Sequence, residues 1–564
     1  MAIKKAVQKA KVIAIKSHEV QELKCLGYDG QKLVLYSKML NQVVFAKPEQ
    51  LTPRCQLSIC GLVWLKEHFG PGVEGAEPNV FGFDGDMAVQ YLVSNCQSAG
   101  HYSPSRVRTE GVYRDGDDAI IINTGSELLR VSGNSSSSSH DQLCAYTQVG
   151  QGLGLTASTV CASRKDVKDL ENFVGNWTFR QPAHPIFLMG WVATAVYAGA
   201  LERRPHLCAT GRRGIGKTML RDGLGGVFGP AALLVEGSST IAGISQALDG
   251  RPIPVFVDEA EMHAGNSLQG IVHGARSSYS SSGEGRVVGS GSGKSRSAPM
   301  SSPFFFTCIQ PPTFEASDAS RWLMVEVTGL KPEAAANPSR FALDEKYRTE
   351  VGARLRMLLV RRWPAFSKSL PIFRSVLLNK LGDARLAETL AAVFAGYWVL
   401  KHEGPVTLAD AEFLATKLRE TVDASKEQPM DEVECLTSLL TKIIAVRSLR
   451  GDGKQSVAEI VQRACDDDAL ADIQLQRLGI RALRRDDGEL TLSVPVSTSH
   501  RGMHSLFIGT RWARGNWGAV LKRLPGAEGT TQRMLGIATK VIQFPIPVEF
   551  VKPVANGEVL KKAA

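Results

Sequence analysis

An α/β fold with a parallel sheet is what this sequence predicts for its centre, flanked by a strand-rich N-terminal segment and by a helical and a small mixed C-terminal region. Three observations predict it. Residues 170–330 alternate short apolar β-runs with helical stretches, the mark of a layered α/β unit. Gly211 to Thr218 fit the pattern G-x-x-x-x-G-K-[ST] between a β-run and an amphipathic helix. One strand and one helix later, the apolar run Ile253–Val257 ends in two adjacent carboxylates, Asp258 and Glu259.

The elements follow in order. Residues 1–134 read as a mixed, strand-rich domain, in which KVIAI, KLVLYS, NQVVFA, DAIIIN and ELLRVSG are separated by Gly, Asp and Pro turns. The turn Asp115-Gly116-Asp117-Asp118 predicts a hairpin. Residues 135–169, opening on the run Ser135–Ser139, read as a junction. The stretch Pro185–Leu201 is almost wholly apolar and predicts a buried core helix; it is at the lower limit of what could span a membrane, and none is expected. In the core, strands are expected at His206–Thr210, Leu233–Glu236, Ile253–Val257, Phe304–Ile309 and Trp322–Val327. Helices are expected at Lys217–Phe228, Thr240–Leu248 and near Ser267–Ser278. Residues 331–450 read as a helical domain, and 451–564 as a small mixed domain with winged-helix-like character.

Composition narrows the class. The chain has 564 residues, 43% hydrophobic and 22% charged, which is ordinary for a globular protein. Its net charge of +10 favours a polyanionic partner such as nucleic acid. Ten cysteines show no C-x-x-C spacing, so a zinc site is not expected and the thiols read as those of a reducing, cytoplasmic compartment.

The chemistry of the glycine-rich segment is that of phosphate binding. Gly211, Arg212, Arg213, Gly214, Ile215, Gly216, Lys217 and Thr218 would wrap the phosphates of ATP with backbone N–H groups at a helix N-terminus. Lys217 would reach the β- and γ-phosphates, and the Thr218 hydroxyl would ligate Mg²⁺. Asp258 would hold Mg²⁺ from the neighbouring strand, and Glu259 would polarise the attacking water. At the end of the FFFTCI strand, Thr307 or Gln310 is placed to sense the γ-phosphate, or the strand is simply a core strand with a polar end. Arg321, just before the last strand, is placed as an arginine finger; the alternative is a surface ion pair with Asp318. A second glycine-serine run ending in Lys294-Ser295 lacks the first glycine of the pattern, at Val288, and reads as a loop.

Taken together, RRPHLCATGRRGIGKT, EGSSTIAGISQAL, PVFVDEAE, SSPFFFTCI and ASDASRW resemble, in that order, the helicase part of phage and prophage primase–helicase proteins. That family belongs with superfamily 3-like and AAA+ P-loop ATPases. EGVYRDGDDAIIINTGSELLRVSG resembles the segment preceding the ATPase core there. The resemblance covers residues 100 to 400, and the tail loosely. It implies an ATP- and Mg²⁺-dependent ring, a hexamer, acting on single-stranded DNA, with Arg321 working in trans. This sequence departs from the family at the sensor position, where Asn is common and Thr307 and Cys308 stand here. No primase module is recognisable, so priming would come from a separate protein.

The same resemblance implies a DNA-contacting hairpin between the magnesium strand and the sensor strand. That interval holds Arg286, Lys294 and Arg296 around a glycine-serine tip; the alternative is a disordered surface loop. In the tail, Trp512 and Trp517 among basic residues read either as a stacking surface or as core anchors. The expected activity is an ATP-dependent DNA helicase or translocase. An ATP-dependent initiator that binds DNA without unwinding, and a DNA-independent P-loop ATPase, remain as alternatives.

Overall fold

A computed structural model describes residues 11–15, 23–116, 118–133, 144–148, 152–260, 268–280, 300–309, 311–312, 314, 318, 320–418, 431–448, 451–484, 490–497, 500–510, 512–513 and 517–546. The chain divides into two compact units, Met1–Val422 and Asp423–Ala564.

The first unit opens with an antiparallel sheet of Leu23–Asp29, Lys32–Ser37 and Gln42–Ala46. Alternation sorts its side chains: Leu33 and Leu35 pack on the helices Leu62–Phe69 and Gly85–Ala99, while Val34 and Tyr36 point to the opposite face. A second antiparallel sheet runs Lys11–Ile15, Leu128–Ser132, Ala119–Asn123, Gly111–Arg114 in spatial order. The reversal expected at Asp115–Asp118 lies between its last two strands, where Asp115 N–H donates to Ala119 at 2.9 Å.

The central sheet is built from β1 (Trp177–Phe179), β2 (His206–Thr210), β3 (Leu233–Glu236), β4 (Val255–Asp258), β5 (Phe304–Cys308) and β6 (Trp322–Leu330), in the order β1-β6-β2-β5-β4-β3. Strands β2 to β6 pair in parallel, and β1 closes one edge antiparallel. A parallel sheet is covered on both faces, which is why β2, β4 and β5 are mostly apolar and buried along nearly their whole length. Its helices are α1 (Arg164–Val174), α2 (His184–Val196), α3 (Lys217–Phe228), α4 (Ile241–Leu248), α5 (Leu268–Tyr279), α6 (Glu345–Arg361), α7 (Trp363–Leu381) and α8 (Ala384–Lys401). The strands and helices expected between His206 and Val327 all form, with ends within three residues of those read from sequence.

The apolar segment Pro185–Leu201 forms α2 as far as Val196 and then turns, with Leu188, Trp191 and Val192 fully buried. Among the described residues, no helix is long and apolar enough to cross a membrane. Helix α2 meets α8 backbone to backbone: a Cβ added at Gly190 would lie 2.1 Å from the Val393 carbonyl oxygen, and one at Gly396 would lie 2.5 Å from that of Gly190. Two buried histidines tie layers together. His206 accepts the Phe304 N–H on Nδ1 at 3.1 Å and donates from Nε2 to Ala275 at 2.7 Å. His184 accepts the Glu326 N–H at 3.2 Å.

Helices between Pro332 and Thr416, expected within a domain of residues 331–450, share one apolar core with the sheet: Leu355, Phe366 and Val393 belong to the same cluster as Trp191 and Phe256. Asp431–Leu440 instead packs in the second unit. That unit runs helix, hairpin (Ile443–Ser448 with Gly451–Ser456), helices Val457–Cys465 and Ala469–Leu478, then a four-stranded antiparallel sheet. Trp517 is fully buried in its core and donates to the Pro495 carbonyl at 3.2 Å, and Trp512 is 6% exposed. Both tail tryptophans are core anchors, not a surface on which bases stack.

Candidate active site

Strand β2 ends at Thr210, the loop Gly211–Gly216 follows, and α3 begins at Lys217. The glycines are there for space and dihedral. At Gly211 a Cβ would lie 2.4 Å from the Val327 carbonyl oxygen and from Ile215, and Gly216 enters the helix at φ +81°. Lys217 Nζ turns back across the loop and donates to the carbonyls of Gly211 at 2.6 Å and Arg212 at 2.8 Å. Arg212 and Arg213 are exposed at its rim. From the antiparallel edge, the Trp177 indole donates to the Ile215 carbonyl at 3.0 Å, pinning the middle of the loop.

Strand β4, two places across the sheet from β2, delivers Asp258. Three side chains converge on its carboxylate. Thr218 Oγ1 donates to Oδ2 at 3.1 Å, Thr307 Oγ1 donates to Oδ1 at 2.5 Å, and Arg221 Nη1 lies 3.0 Å from Oδ2. Arg221 also contacts Asp222 at 2.6 Å. Thr307 therefore sits on β5 between β2 and β4, locking the carboxylate in place. Glu259 is exposed and takes the left-handed backbone conformation, φ +50°, which a non-glycine residue adopts only at a cost of about 1–2 kcal/mol. Gly237 permits that turn: its N–H donates to Asp258 at 2.8 Å, and a Cβ there would be 2.4 Å from the Glu259 carbonyl oxygen.

Lys217, Thr218, Asp258, Glu259 and Thr307 thus gather at the C-terminal ends of adjacent parallel strands, where loops in such sheets hold ligands. A hydroxyl and a carboxylate oxygen 3.1 Å apart at the loop's mouth are the hard donors Mg²⁺ takes in ones and twos, with phosphate oxygens and waters completing its shell. The residues fit that ion. Among the described residues there is no cluster of three or more His, Cys, Asp or Glu that could hold a metal alone.

Arg321 is not part of this gathering. It precedes β6 at the opposite, N-terminal end of the strands: its carbonyl accepts the His206 N–H at 3.0 Å, and its guanidinium lies 5.6 Å from the Tyr279 ring centre. Burial first, and Arg385 beside it next, lower its proton affinity. Asp318, the alternative ion-pair partner expected for it, is fully buried and gripped by Arg276 through two contacts of 2.6 Å. Arg286, Lys294 and Arg296, with the second glycine-serine run, lie outside the described residues, as does Gln310.

Two site residues were not anticipated. Arg221 lies one helical turn beyond Thr218, so i, i+3 spacing carried a signal for it. Trp177 lies 38 residues before Ile215, and nothing local announces that contact.

No family model and no curated protein matches the chain. Among solved structures, it is similar to one described as SCCmec type IV Cch, an active helicase, at 12% identity and a TM-score of 0.48, over 96% of this chain and 95% of that one. It is also similar to the apo C-terminal region of NrS-1, at 11% identity and a TM-score of 0.34, over 92% of this chain and 96% of that one. Likeness at this level carries nothing about activity, which has to be read from the residues.

Proposed function

We propose that this chain is a P-loop ATPase of the superfamily 3-like and AAA+ kind, acting as an ATP-dependent DNA helicase or translocase in phage or prophage replication. The observation that carries the reading is the convergence of Thr218, Thr307 and Arg221 on Asp258, beside a glycine loop that Lys217 spans. Strand order supports it as well. The loop strand β2 and the carboxylate strand β4 are separated by β5, the order in which a third strand supplies a polar sensor between them.

In this reading the loop N–H groups and Lys217 would hold the ATP phosphates, and Thr218 and Asp258 would hold Mg²⁺, which would supply neutralisation of phosphate charge. Glu259, exposed beyond the end of β4, takes the proton of the attacking water. Thr307 fixes the Asp258 carboxylate through its hydroxyl. Arg321 cannot serve its own loop: the five residues of β2 separate the two ends of the sheet by about 15 Å at 3.3 Å per residue. It serves the site of a neighbouring copy, so the active form is a ring, a hexamer by family resemblance. Arg286, Lys294 and Arg296 contact single-stranded DNA, and a separate primase supplies primers.

The test is steady-state ATP hydrolysis with and without single-stranded DNA, for wild type and Lys217→Ala. DNA-stimulated hydrolysis that vanishes in the variant supports the helicase reading. Hydrolysis indifferent to DNA removes the translocase and leaves a DNA-independent ATPase.

A further inference from the structure

A cavity of about 990 Å³ opens in the first unit, between the start of α1, the junction of α6 and α7, and the end of α8. It shares no residue with the phosphate-loop site. Its lining holds six cationic side chains, Arg164, Lys168, Arg361, Arg362, Lys368 and Lys401, against two carboxylates, Glu171 and Glu403.

Half of those cations are accounted for by the fold. Glu171 is bracketed by Lys168 at 3.0 Å and Lys401 at 2.6 Å. Arg362 donates to the Val399 and Leu400 carbonyls at 2.8 and 3.1 Å, closing the end of α8, and faces Glu403 at 3.9 Å. These three hold the helix ends together. Arg164, Arg361 and Lys368 do no such work. They are exposed into the same cavity, from three different helices, with no carboxylate partner among the described residues. Convergent like charges repel, and a solvated surface would spread them. A concave wall that concentrates them attracts multivalent anions instead.

We infer that this cavity is a second phosphate-binding site, taking successive phosphate groups of a polyanion on Arg164, Arg361 and Lys368. The volume suits one or two nucleotides' worth of ligand. The chemistry is shared by two sources, the backbone of a nucleic-acid strand and a free polyphosphate.

Charge reversal separates them. The triple variant Arg164→Glu/Arg361→Glu/Lys368→Glu is compared with wild type, both as full chains. Fluorescence anisotropy with labelled oligo-deoxythymidine is recorded from about 50 to 200 mM salt. A strand in the cavity predicts at least a tenfold loss of affinity and a salt slope shallower by about 2, at about 0.7 for each phosphate that is no longer neutralised. Basal ATP hydrolysis stays at the wild-type rate. In a Lys217→Ala background, where the first site is disabled, inorganic triphosphate is titrated by calorimetry. Loss of triphosphate binding with oligonucleotide binding intact assigns the cavity to a free polyphosphate. If both probes bind the reversed and the unreversed proteins equally, the inference is wrong. Should the triple variant misfold, acylation of Lys368 in the wild-type protein decides: slowing by either probe supports the site, and an unchanged rate with both overturns it. A chain that binds here yet hydrolyses no ATP would sink the proposed function and leave this inference standing.

Discussion

The guanidinium of Arg221 lies 3.0 Å from Asp258 Oδ2, on the same carboxylate oxygen that accepts the Thr218 hydroxyl. Both side chains of the pair are 15% exposed, so solvent screens the contact only partly. A fixed cation therefore stands where the proposed Mg²⁺ would bind, and the two would compete for one carboxylate. Arg221→Ala should lower the Mg²⁺ concentration that half-saturates ATP hydrolysis, roughly threefold to tenfold, by removing that competition. A titration of Mg²⁺ against hydrolysis rate checks it, and a raised requirement would show that Arg221 instead orients Asp258 for the metal.

Trp177→Phe keeps an aromatic ring against Phe173, which it meets edge-on at 5.1 Å, and removes only the N–H donated to Ile215. The expected cost is about 1 kcal/mol of stability, with KM for ATP raised several-fold and kcat little changed. Chemical denaturation and steady-state kinetics on one preparation separate the two effects. An unmoved KM would mean that the indole packs beside the loop without shaping it.

Glu259 carries a strained backbone and, in the proposed mechanism, is the general base. Glu259→Gln should leave nucleotide binding intact and reduce turnover by about 10²- to 10⁴-fold. Glu259→Gly should be equally inactive but up to about 1 kcal/mol more stable, because glycine adopts φ +50° without the steric cost. Melting curves of the two inactive variants, compared with wild type, read the strain directly.

Arg321→Ala should bind ATP yet turn it over about 10³-fold more slowly. Mixed with Lys217→Ala chains, it should regain part of the lost activity, since each variant supplies the group that the other lacks. Absence of recovery across mixing ratios would remove the trans role.

Burial holds two imidazoles neutral far below the usual 6.5, His206 near 3 and His184 near 4. The unfolded chain takes up protons at those positions from pH 6.5 downward while the folded one does not. Stability is therefore full above 6.5 and falls as pH drops toward 4, by about 1.4 kcal/mol per pH unit for each histidine. Urea unfolding between pH 7 and 5 should show stability falling with pH, and His206→Gln should make that fall shallower.

How much of this was legible in sequence follows from range. Strand β2, its loop and α3 are written within 23 residues by apolar runs and glycine punctuation, so their bounds were readable. Asp258 and Glu259 were readable because a buried apolar run gives way to adjacent carboxylates where the strand leaves the core. The sequence puts Thr307 near the end of a strand, but its hydrogen bond to Asp258 spans 49 residues. Trp177, and the grip of Arg276 on Asp318, depend on which distant elements become neighbours, which no local pattern states. The helices after Pro332 showed apolar faces without saying what those faces meet, and they meet the sheet's own core.

The contact of α2 with α8 has a mechanical consequence. Where two backbones touch at Gly190 and Gly396, neither helix can pivot on side chains that would otherwise act as cushions. Any displacement of α2 would therefore press directly on α8, with no side chain between them at these two positions to take it up. A single methyl group at either glycine would act as a wedge, and the first thing to go would be the stiffness of the lever, ahead of any chemistry at the loop.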